Sequence, residues 1–412
     1  MTNNQRAIQA FNDIRNVASI PTGTVIEDYP PLIQSKMGNS QQVFGGKWAR
    51  PPQRPPIPET INPNEMYWLY GLEASNPNDF AVYISGNTEV EWVFGTGIKE
   101  TFPNGTLISH SFIYDDVDII PGPYGIKWFW IKITGTNITT VNLNVRPTSW
   151  VTGSTQDKFF PQVYEWHWNL PELSANLFGA TIFYTEYRFL DLFVLHGDHK
   201  MTNLDNFMKN CVSLKVPPIM SFKGVLSVVS FCYSLYSLDV TELILDFPDA
   251  TALPGIYSYL YSMAPMKVVL NAPKCLSLAN SFAQNANFSP ETIEINAPVC
   301  TTISGIFAGN ATMSKIELNS PLLNDAAISF MINALKSIRI FSMNAKCIKV
   351  DVQRNQLDID DIMTLCDDLY DRTSLLAGIV DIRKSRAVSP VDKLTTEKIA
   401  RFTAKNWTVT KV

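Results

Sequence analysis

The segments LILDFP (243–248), VVLNAP (268–273), IEINAP (293–298) and IELNSP (316–321) are copies of one pattern, and they decide the fold of the C-terminal half. In each copy the first and third positions are apolar and a proline stands five places after the start. Apolar residues at alternate positions are typical of a strand with one buried face. The pattern therefore predicts a short strand that ends at a proline turn in every copy.

The same pattern continues beyond these four copies. Phenylalanine recurs fourteen places after the last three starts, at Phe282, Phe307 and Phe330. Weaker copies begin at Phe193, Val216 and Ile338, so successive starts are 23, 27, 25, 25, 23 and 22 residues apart. Such a period is that of leucine-rich-repeat-like solenoids, in which each unit buries its apolar face only against its neighbours. We therefore predict a solenoid over residues 193–354.

Two motifs carry a resemblance to a known family. The pieces I-x-I-N-A-P and G/N-x-F resemble BspA-type leucine-rich repeats, and the ending IARFTAKNWTVTKV (399–412) resembles their closing motif A-x-x-K-G-W-T-V-T, with Asn406 in place of glycine. The resemblance covers residues 193–412. Such repeats occur in bacterial surface adhesins and in virion proteins of bacteriophages that infect gut Bacteroidales. The resemblance thus implies a binding or structural protein.

The first segment, residues 1–46, is predicted to be an anchoring arm. It opens with a short amphipathic helix and continues through a proline-broken stretch; its candidate anchoring residues are Ile8, Phe11, Ile14, Tyr29, Leu32 and Ile33. So short a helix is marginal in water, and we expect it to dock on a partner, with packing on its own chain as the alternative. The motifs A-I-x-A-F-N-D-I and I-P-x-G-T-x-x-x-D-Y-P-x-L-I resemble leaders of phage tail and appendage proteins.

The remaining segments complete an α+β multidomain prediction. Residues 47–63 form a proline-rich spacer, with six prolines between 51 and 63, which we expect to run extended as a strut or a surface strap. Residues 64–150 read as a small all-β sandwich of short strands separated by turn signals. Residues 151–192 are a connector and N-terminal cap of the solenoid. Residues 355–412 are a C-terminal cap with two helices and a terminal strand.

Composition excludes several classes of protein. The chain has 412 residues, 33 basic and 38 acidic side chains and a formal charge of −5, so no nucleic-acid partner is expected. No window approaches the ~18–20 apolar residues of a membrane span, and the start lacks the pattern of a signal peptide. The six cysteines never form a C-x-x-C motif and are predicted to be small buried apolar residues.

The sequence contains no motif that predicts an enzyme. Neither phosphate-binding nor nucleophile motifs occur, so we expect no catalytic residue, no cofactor and no metal. The metal-like HGDHK (196–200) reads as a solvated loop. The acidic group of residues 358–371 reads as a solvated helical face rather than as a glycosidase pair or a calcium site. Trp92, Trp128 and Trp130 are expected to pack in a core, with a carbohydrate-stacking platform as the alternative.

The outward face of the solenoid strands is the candidate binding surface. Residues at even positions of each strand form a ladder of Asp and Asn beside a mixed column. The candidate residues are Asp246, Asn271, Glu294, Asn296, Glu317, Asn319 and Arg339. Recognition of a protein or glycan and a solvated ladder without a ligand are equally good interpretations of this pattern.

Together these features favour a non-enzymatic structural virion protein of a tailed phage. Its expected partners are other virion proteins and further copies of itself, with a host-surface protein or glycan as a candidate receptor and without membrane insertion. Its expected location is the virion, assembled in the host cytoplasm. The alternatives are a secreted bacterial adhesin with BspA-type repeats and a glycan-degrading phage appendage enzyme.

Overall fold

The computed structural model describes residues 50–74, 79–122, 125–142, 162–174, 190–208, 211, 213–232, 238, 240–257, 267–283, 285, 288, 290, 292–303, 305–307, 315–319, 328–329, 337–341, 349–352, 357–383 and 394–410. The protein is mostly β: N-terminal sheets are followed by a parallel β-solenoid of about six turns, with little helix. The chain divides into two compact units, one of residues 1–223 and 237–239, the other of residues 224–236 and 240–412.

The described residues of the first unit form nine strands and a 3-10 helix at Tyr114–Asp116. The strands are β1 (Glu65–Leu72), β2 (Asp79–Ile84), β3 (Thr88–Glu91), β4 (Lys99–Phe102), β5 (Leu107–Ser111), β6 (Lys127–Gly135), β7 (Val141–Asn142), β8 (Val163–Asn169) and β9 (Leu192–Leu195). They make a six-stranded sheet in the order β4-β3-β6-β1-β8-β9 and a three-stranded sheet in the order β5-β2-β7. Strands β8 and β9 pair in parallel, and the other pairs are antiparallel.

Strand β1, EMYWLYGL, is buried along its whole length because both of its faces are covered. On one face Trp68 contacts Phe80 of β2 at 5.2 Å between ring centroids. On the other face Tyr67 and Leu69 form a core cluster with Trp130 of β6. A strand covered on both sides is apolar at consecutive positions instead of alternating, as this one is.

The six-stranded sheet extends beyond the boundary at residue 150 that the sequence suggests. Strand β8 lies in the predicted connector 151–192, yet it pairs with β1. Strand β9, where the first weak repeat begins, pairs in parallel with β8. The physical reason is the buried character of β8, VYEWHWN, whose Trp166 and Trp168 rings stack at 5.3 Å and whose Glu165 and His167 are also buried.

The first repeat spacing differs from the sequence alignment. The sequence aligns Phe193 with Val216, whereas the structure pairs Val194 with Ile219, which lengthens the step between these turns by two positions. The backbone bonds agree, since Leu195 N–H donates to Ile219 O and Ile219 N–H donates to Phe193 O. The prolines at 217 and 218 delay the bridge because they lack N–H donors.

The described residues of the second unit form nine strands and two helices. The strands are β10 (Glu242–Asp246), β11 (Lys267–Asn271), β12 (Thr292–Asn296), β13 (Lys315–Asn319), β14 (Ile328–Ser329), β15 (Ser337–Phe341), β16 (Lys349–Asp351), β17 (Gly378–Asp381) and β18 (Trp407–Thr410). The helices are α1 (Ile359–Asp368) and α2 (Thr396–Ala404). Two parallel sheets result, in the orders β10-β11-β12-β13-β15 and β14-β16-β17-β18.

The repeats stack in register, as the sequence pattern predicts. Leu243 pairs with Val268, and Val268 pairs with Ile293, so each pair joins the first positions of successive copies. The ladder continues past the strand ends, where Ala272 N–H donates to Asn296 O. Pro273 and Pro298 follow at equivalent places, whereas Pro321 lies outside the described residues.

Apolar side chains fill the interior of the stack. The first and third repeat positions of β10, β11 and β12 are buried. Phe282 and Phe307 stack at 5.8 Å between ring centroids with an interplanar angle of 18°; Phe330 lies outside the described residues. The five described cysteines are buried thiols, as the sequence predicts: Cys211, Cys232, Cys275, Cys300 and Cys366.

Backbone bridges also join successive turns on a second side of the solenoid. Parallel bridges join Ser227 to Ala252, Ala252 to Ser277 and Ser277 to Thr302. These residues are small and half-buried, so the sequence around them shows no alternation of apolar and polar residues that would predict a strand. The sequence predicts only an arc at this place, and the structure shows a β-bridged side.

Helix α1 closes the edge of the five-stranded sheet. Asp358 caps its N-terminus by accepting hydrogen bonds from Asp360 N–H and Asp361 N–H. At the other end Asp368 accepts a hydrogen bond of 3.0 Å from Ile340 N–H of edge strand β15. Covering an edge in this way prevents the pairing of further strands.

Candidate functional site

The predicted outward positions lie on the solenoid surface. Ile244, Asp246, Val269 and Asn271 are half-buried, while Asn296 is exposed. Glu294, Glu317 and Arg339 are half-buried at the same column of successive strands. Asn319 is in backbone register with Asn296. We call the seven polar candidate residues of the sequence analysis the ladder face. Ile244 and Val269 are outward positions but are not part of it.

Side chains of the ladder face bind one another along the stack. Asn271 Nδ2 donates to Asp246 Oδ1 at 2.9 Å, and Asn296 Nδ2 donates to Asn271 Oδ1 at 2.9 Å. Parallel in-register strands lie about 4.8 Å apart, which places equivalent amides within hydrogen-bond reach. Burial raises the pKa of Asp246, which the bond from Asn271 partly opposes. The amides therefore help to hold the turns in register.

The charged column of the ladder face is paired as well. Lys267 Nζ lies 3.1 Å from Glu294 Oε1, and Lys315 Nζ lies 2.8 Å from Glu317 Oε1. Arg339 forms two hydrogen bonds to the Asp368 carboxylate, at 2.8 and 2.9 Å. These contacts favour the interpretation of the ladder face as a structural feature of the solenoid.

Replacing Asn271 with alanine tests the amide ladder. Two side-chain hydrogen bonds are lost, and we expect the free energy of unfolding to fall by about 1–2 kcal/mol. Urea unfolding followed by far-UV circular dichroism measures the change. Lys274→Ala, which removes an exposed lysine paired with Asp249 at 2.7 Å, is the matched control and should cost less than about 1 kcal/mol. Equal effects of the two substitutions would argue against the ladder.

A second cluster lies under the proline-rich segment. Arg50 Nε donates to both carboxylate oxygens of Glu165, at 2.8 and 2.9 Å. Arg54 donates from one terminal nitrogen to Glu165 at 2.8 Å and from the other to Asp191 at 2.5 Å. All four side chains are largely buried. We call these four residues the strap latch, and residues 50–61 the strap.

Aromatic side chains form the walls around the latch. Arg54 lies over the rings of Trp128 and Tyr164, at 5.1 and 5.2 Å from their centroids. Trp130 Nε1 donates to Pro56 O at 2.9 Å, while Ile57 and Ile61 pack against the cluster of Tyr67, Leu69 and Trp130. The strap thus covers one face of the six-stranded sheet.

The latch is electrically balanced, with two guanidinium groups against two carboxylates. Burial raises the pKa of Glu165, but the hydrogen bond from His167 and the charges of Arg50 and Arg54 outweigh burial and bring it to about 2. Burial lowers the pKa of His167, whose Nε2 lies 3.4 Å from Glu165 Oε2. Among the described residues His167 Nδ1 has no hydrogen-bond partner. Neutral His167 completes a network that serves to hold the strap.

Acid is expected to loosen the strap. The folded pKa of Glu165, about 2, is below its ordinary value of 4.5. The stabilisation from Glu165 is therefore complete above pH 4.5 and is lost as the pH falls towards 2, with a maximum of about 3 kcal/mol. Burial raises the pKa of Asp191, so protonation of that carboxylate favours the folded state and offsets part of this loss. Tryptophan fluorescence against pH measures the change, since Trp128 and Trp130 contact the strap. Glu165→Gln does not titrate there, so an identical pH profile in that variant would contradict this account.

Histidines and aspartates that the sequence analysis considered as metal or catalytic candidates form hydrogen bonds and ion pairs within the chain. The prediction of a solvated loop at HGDHK is wrong for His199, which is buried because its Nε2 donates to Ser221 O at 2.7 Å, while Asp198 is exposed. Asp367 pairs with Arg401, and Asp368 with Arg339. No group of three or more His, Cys, Asp or Glu side chains within the described part of the chain could hold a metal ion.

The aromatic residues singled out from the sequence lie in the sheets. Trp92 and Trp130 are buried, and Trp92 stacks on His110 at 4.6 Å between centroids. Trp128 is half-buried under Arg54. Trp92 and Trp130 therefore pack in a core, as the favoured interpretation predicts. Trp128 instead lies beside Arg54 and contacts the strap latch.

The predicted anchoring residues Ile8, Phe11, Ile14, Tyr29, Leu32 and Ile33 lie outside the described residues. In the described ranges no helix has the length and apolar character needed to cross a membrane.

Sequence reasoning missed the latch. Arg50 and Arg54 stand in the proline-rich segment that is predicted to be a strut or a surface strap, and Glu165 is 115 and 111 residues away from them. The signal that could have found it was β8, where Glu165 and His167 alternate with tryptophans in a strand pattern. Comparison with known proteins gives no match to any family model, curated protein or solved structure.

Proposed function

We propose that the chain is a non-enzymatic structural protein of a tailed-phage virion, anchored through its N-terminal arm. The observation that carries this proposal is the self-pairing stack of the solenoid: its strands, its amides and the Lys267–Glu294 pair bind the next turn. A stack held in this way suits a structural scaffold. The arm resembles leaders of tail and appendage proteins, which supports the virion assignment.

We further propose that the solenoid is of the BspA type. The contacts of the closing motif support this. Asn406, which stands where the family motif has glycine, has a φ of 57°, in the left-handed region that glycine and asparagine tolerate. Its Nδ2 donates to Arg372 O and Leu375 O at 3.1 and 2.7 Å. Lys405 Nζ donates to the carbonyls of Cys366, Asp367 and Leu369 at the end of α1.

Substitution of Asn406 tests the role of the closing motif. Asn406→Ala loses two hydrogen bonds and places an alanine at positive φ, so we expect a loss of about 2–3 kcal/mol in the free energy of unfolding. Asn406→Gly restores the family residue and should cost less than about half as much. Thermal unfolding of both variants provides the measurement. A glycine variant as unstable as the alanine variant would contradict the backbone argument.

Proteomics of particles tests the function itself. Tryptic peptides of this chain should be found in density-purified phage particles from the microbial community that carries the gene, at a stoichiometry comparable to known structural proteins. Recovery only from cell envelopes would favour the adhesin instead. Release of reducing sugar from capsular glycan by the pure chain would contradict a non-enzymatic role.

A further inference from the structure

We infer that a polar groove across strands β3, β4 and β6 is a binding site for a neutral saccharide. The groove has a volume of about 570 Å³ and lies within the first unit. Its lining includes six residues that we call the edge groove: Asn87, Glu89, Thr101, Pro103, Thr134 and Thr136. The inference goes beyond the proposed function and does not depend on it.

Strand register places the edge groove on one face of the six-stranded sheet. Glu89 pairs with Thr101 of β4 and with Thr134 of β6, so these three residues form a row across three strands. The other three residues stand two positions further along the same strands, so alternation keeps them on the same face. The strand ladder continues to this second row, since Thr136 N–H donates to Asn87 O at 3.3 Å. The two rows together form a polar surface at the edge of the sheet.

Polar groups of the edge groove remain available to a ligand, unlike those of the ladder face. Within the described part of the chain, the hydroxyls of Thr101, Thr134 and Thr136 form no hydrogen bond. Glu89 accepts a hydrogen bond of 2.7 Å from Lys99 at Oε1, and among the described residues its Oε2 accepts none. Three hydroxyls and one carboxylate oxygen can therefore bind a ligand.

The charge and lining of the edge groove favour a neutral saccharide. Lys99 balances Glu89, so the pair adds no net charge and favours neither an anion nor a cation. Threonine hydroxyls both donate and accept hydrogen bonds, as sugar hydroxyls do, and the carboxylate oxygen accepts from a sugar hydroxyl. Threonine methyl groups and the Pro103 ring provide apolar contact for the C–H face of a sugar ring. A few polar groups in an apolar lining are typical of a site for a small organic ligand.

Bonds between loops hold one end of the edge groove in shape. Gly86 N–H donates to Asn104 Oδ1, and Asn104 N–H donates to Asn87 Oδ1, both at 2.9 Å. Gly86 has a φ of 92°, and a Cβ atom there would lie 2.3 Å from Thr136 O. Glycine is therefore required for this close approach of the two loops. Because the groove is formed without a ligand, binding costs little additional ordering.

Binding of the full chain to glycans tests the inference. The labelled chain is applied to an array of neutral, sialylated and uronic-acid oligosaccharides, and we expect retention on neutral glycans. Isothermal titration calorimetry with the best-retained neutral oligosaccharide then gives a Kd. Thr101→Val and Thr134→Val each remove a hydroxyl, and each should raise the Kd by about fivefold to tenfold. Thr408→Val, the same exchange at an exposed position of β18, is the matched control and should leave the Kd unchanged.

Every outcome supports or overturns the inference. A Kd raised in either groove variant and unchanged in Thr408→Val supports it. No retention on any neutral glycan, or retention on acidic glycans alone, would overturn it. Binding that neither groove variant weakens would overturn the assignment to the edge groove. Thr101 is exposed on edge strand β4, so its variant decides the question if Thr134→Val does not fold. None of these outcomes bears on whether the chain is found in virions.

Discussion

Replacing Glu165 with alanine is expected to lower the free energy of unfolding of the N-terminal unit by about 3–5 kcal/mol. The carboxylate is fully buried and accepts hydrogen bonds from two arginines. Its removal leaves two buried guanidinium groups with one carboxylate, and an uncompensated buried charge is far more costly than a lost pair in water. Urea unfolding followed by tryptophan fluorescence measures the effect.

An exposed pair in the same unit provides the control. Glu89 lies 2.7 Å from Lys99, and both side chains are exposed. Glu89→Ala should therefore change stability by less than about 1 kcal/mol. Replacing all four latch residues with apolar side chains of similar volume should recover much of the loss, because no charge then stays unpaired. If Glu165→Ala is as mild as Glu89→Ala, the latch does not hold the strap.

The second large effect is expected at Phe282. Its ring is fully buried and stacks on Phe288 and Phe307 at 5.6 and 5.8 Å between centroids. Phe282→Ala should lower the free energy of unfolding of the solenoid by about 3–5 kcal/mol, because a cavity opens between two turns. Far-UV circular dichroism in urea follows the loss of the parallel sheet.

Leu276→Ala is the matched control in the same turn. Leu276 is 51% exposed, so the truncation removes little buried surface and should cost less than about 1 kcal/mol. A similar cost at both positions would mean that Phe282 does not lie inside a stack.

The solenoid could be predicted because its signal is local and repeated. Alternation at Val268 and Leu270, a proline five places after each start and phenylalanine at a fixed offset recur at one period, and the structure places each described example in register. The helices α1 and α2 and the terminal strand β18 also follow from local patterns. Capping by Asp358 is a signal that stands beside its helix in the sequence.

The second side of each turn could not be predicted in the same way. Ser227, Ala252, Ser277 and Thr302 form backbone bridges, but their side chains are small and carry no strong preference. Likewise, the sequence alignment of Val216 with Phe193 differs by two positions from the bridge between Val194 and Ile219. Backbone pairing is set there by neighbours in the stack and not by the segment itself.

The latch depends on contacts between distant segments. Arg54 and Glu165 lie 111 residues apart, and Arg54 and Asp191 lie 137 residues apart. A single sequence does not predict which carboxylate pairs with which arginine. The alternation in the sequence predicts the outward positions of the ladder face, but the bonds between Asp246, Asn271 and Asn296 follow from the in-register spacing that only the structure shows.

Distances between spin labels across the stack test the solenoid most directly. Ile244 pairs with Val269, Val269 with Glu294, and Glu294 with Glu317, so positions 244 and 317 lie three strands apart although they are distant in the sequence. At about 4.8 Å per strand, their backbones should be about 14 Å apart. Labels at Ile244→Cys and Glu317→Cys should give a narrow distribution near about 15–20 Å, and labels at 244 and 294 a shorter one, by about one strand spacing. A broad distribution, or a separation beyond about 30 Å, would contradict the stacked register.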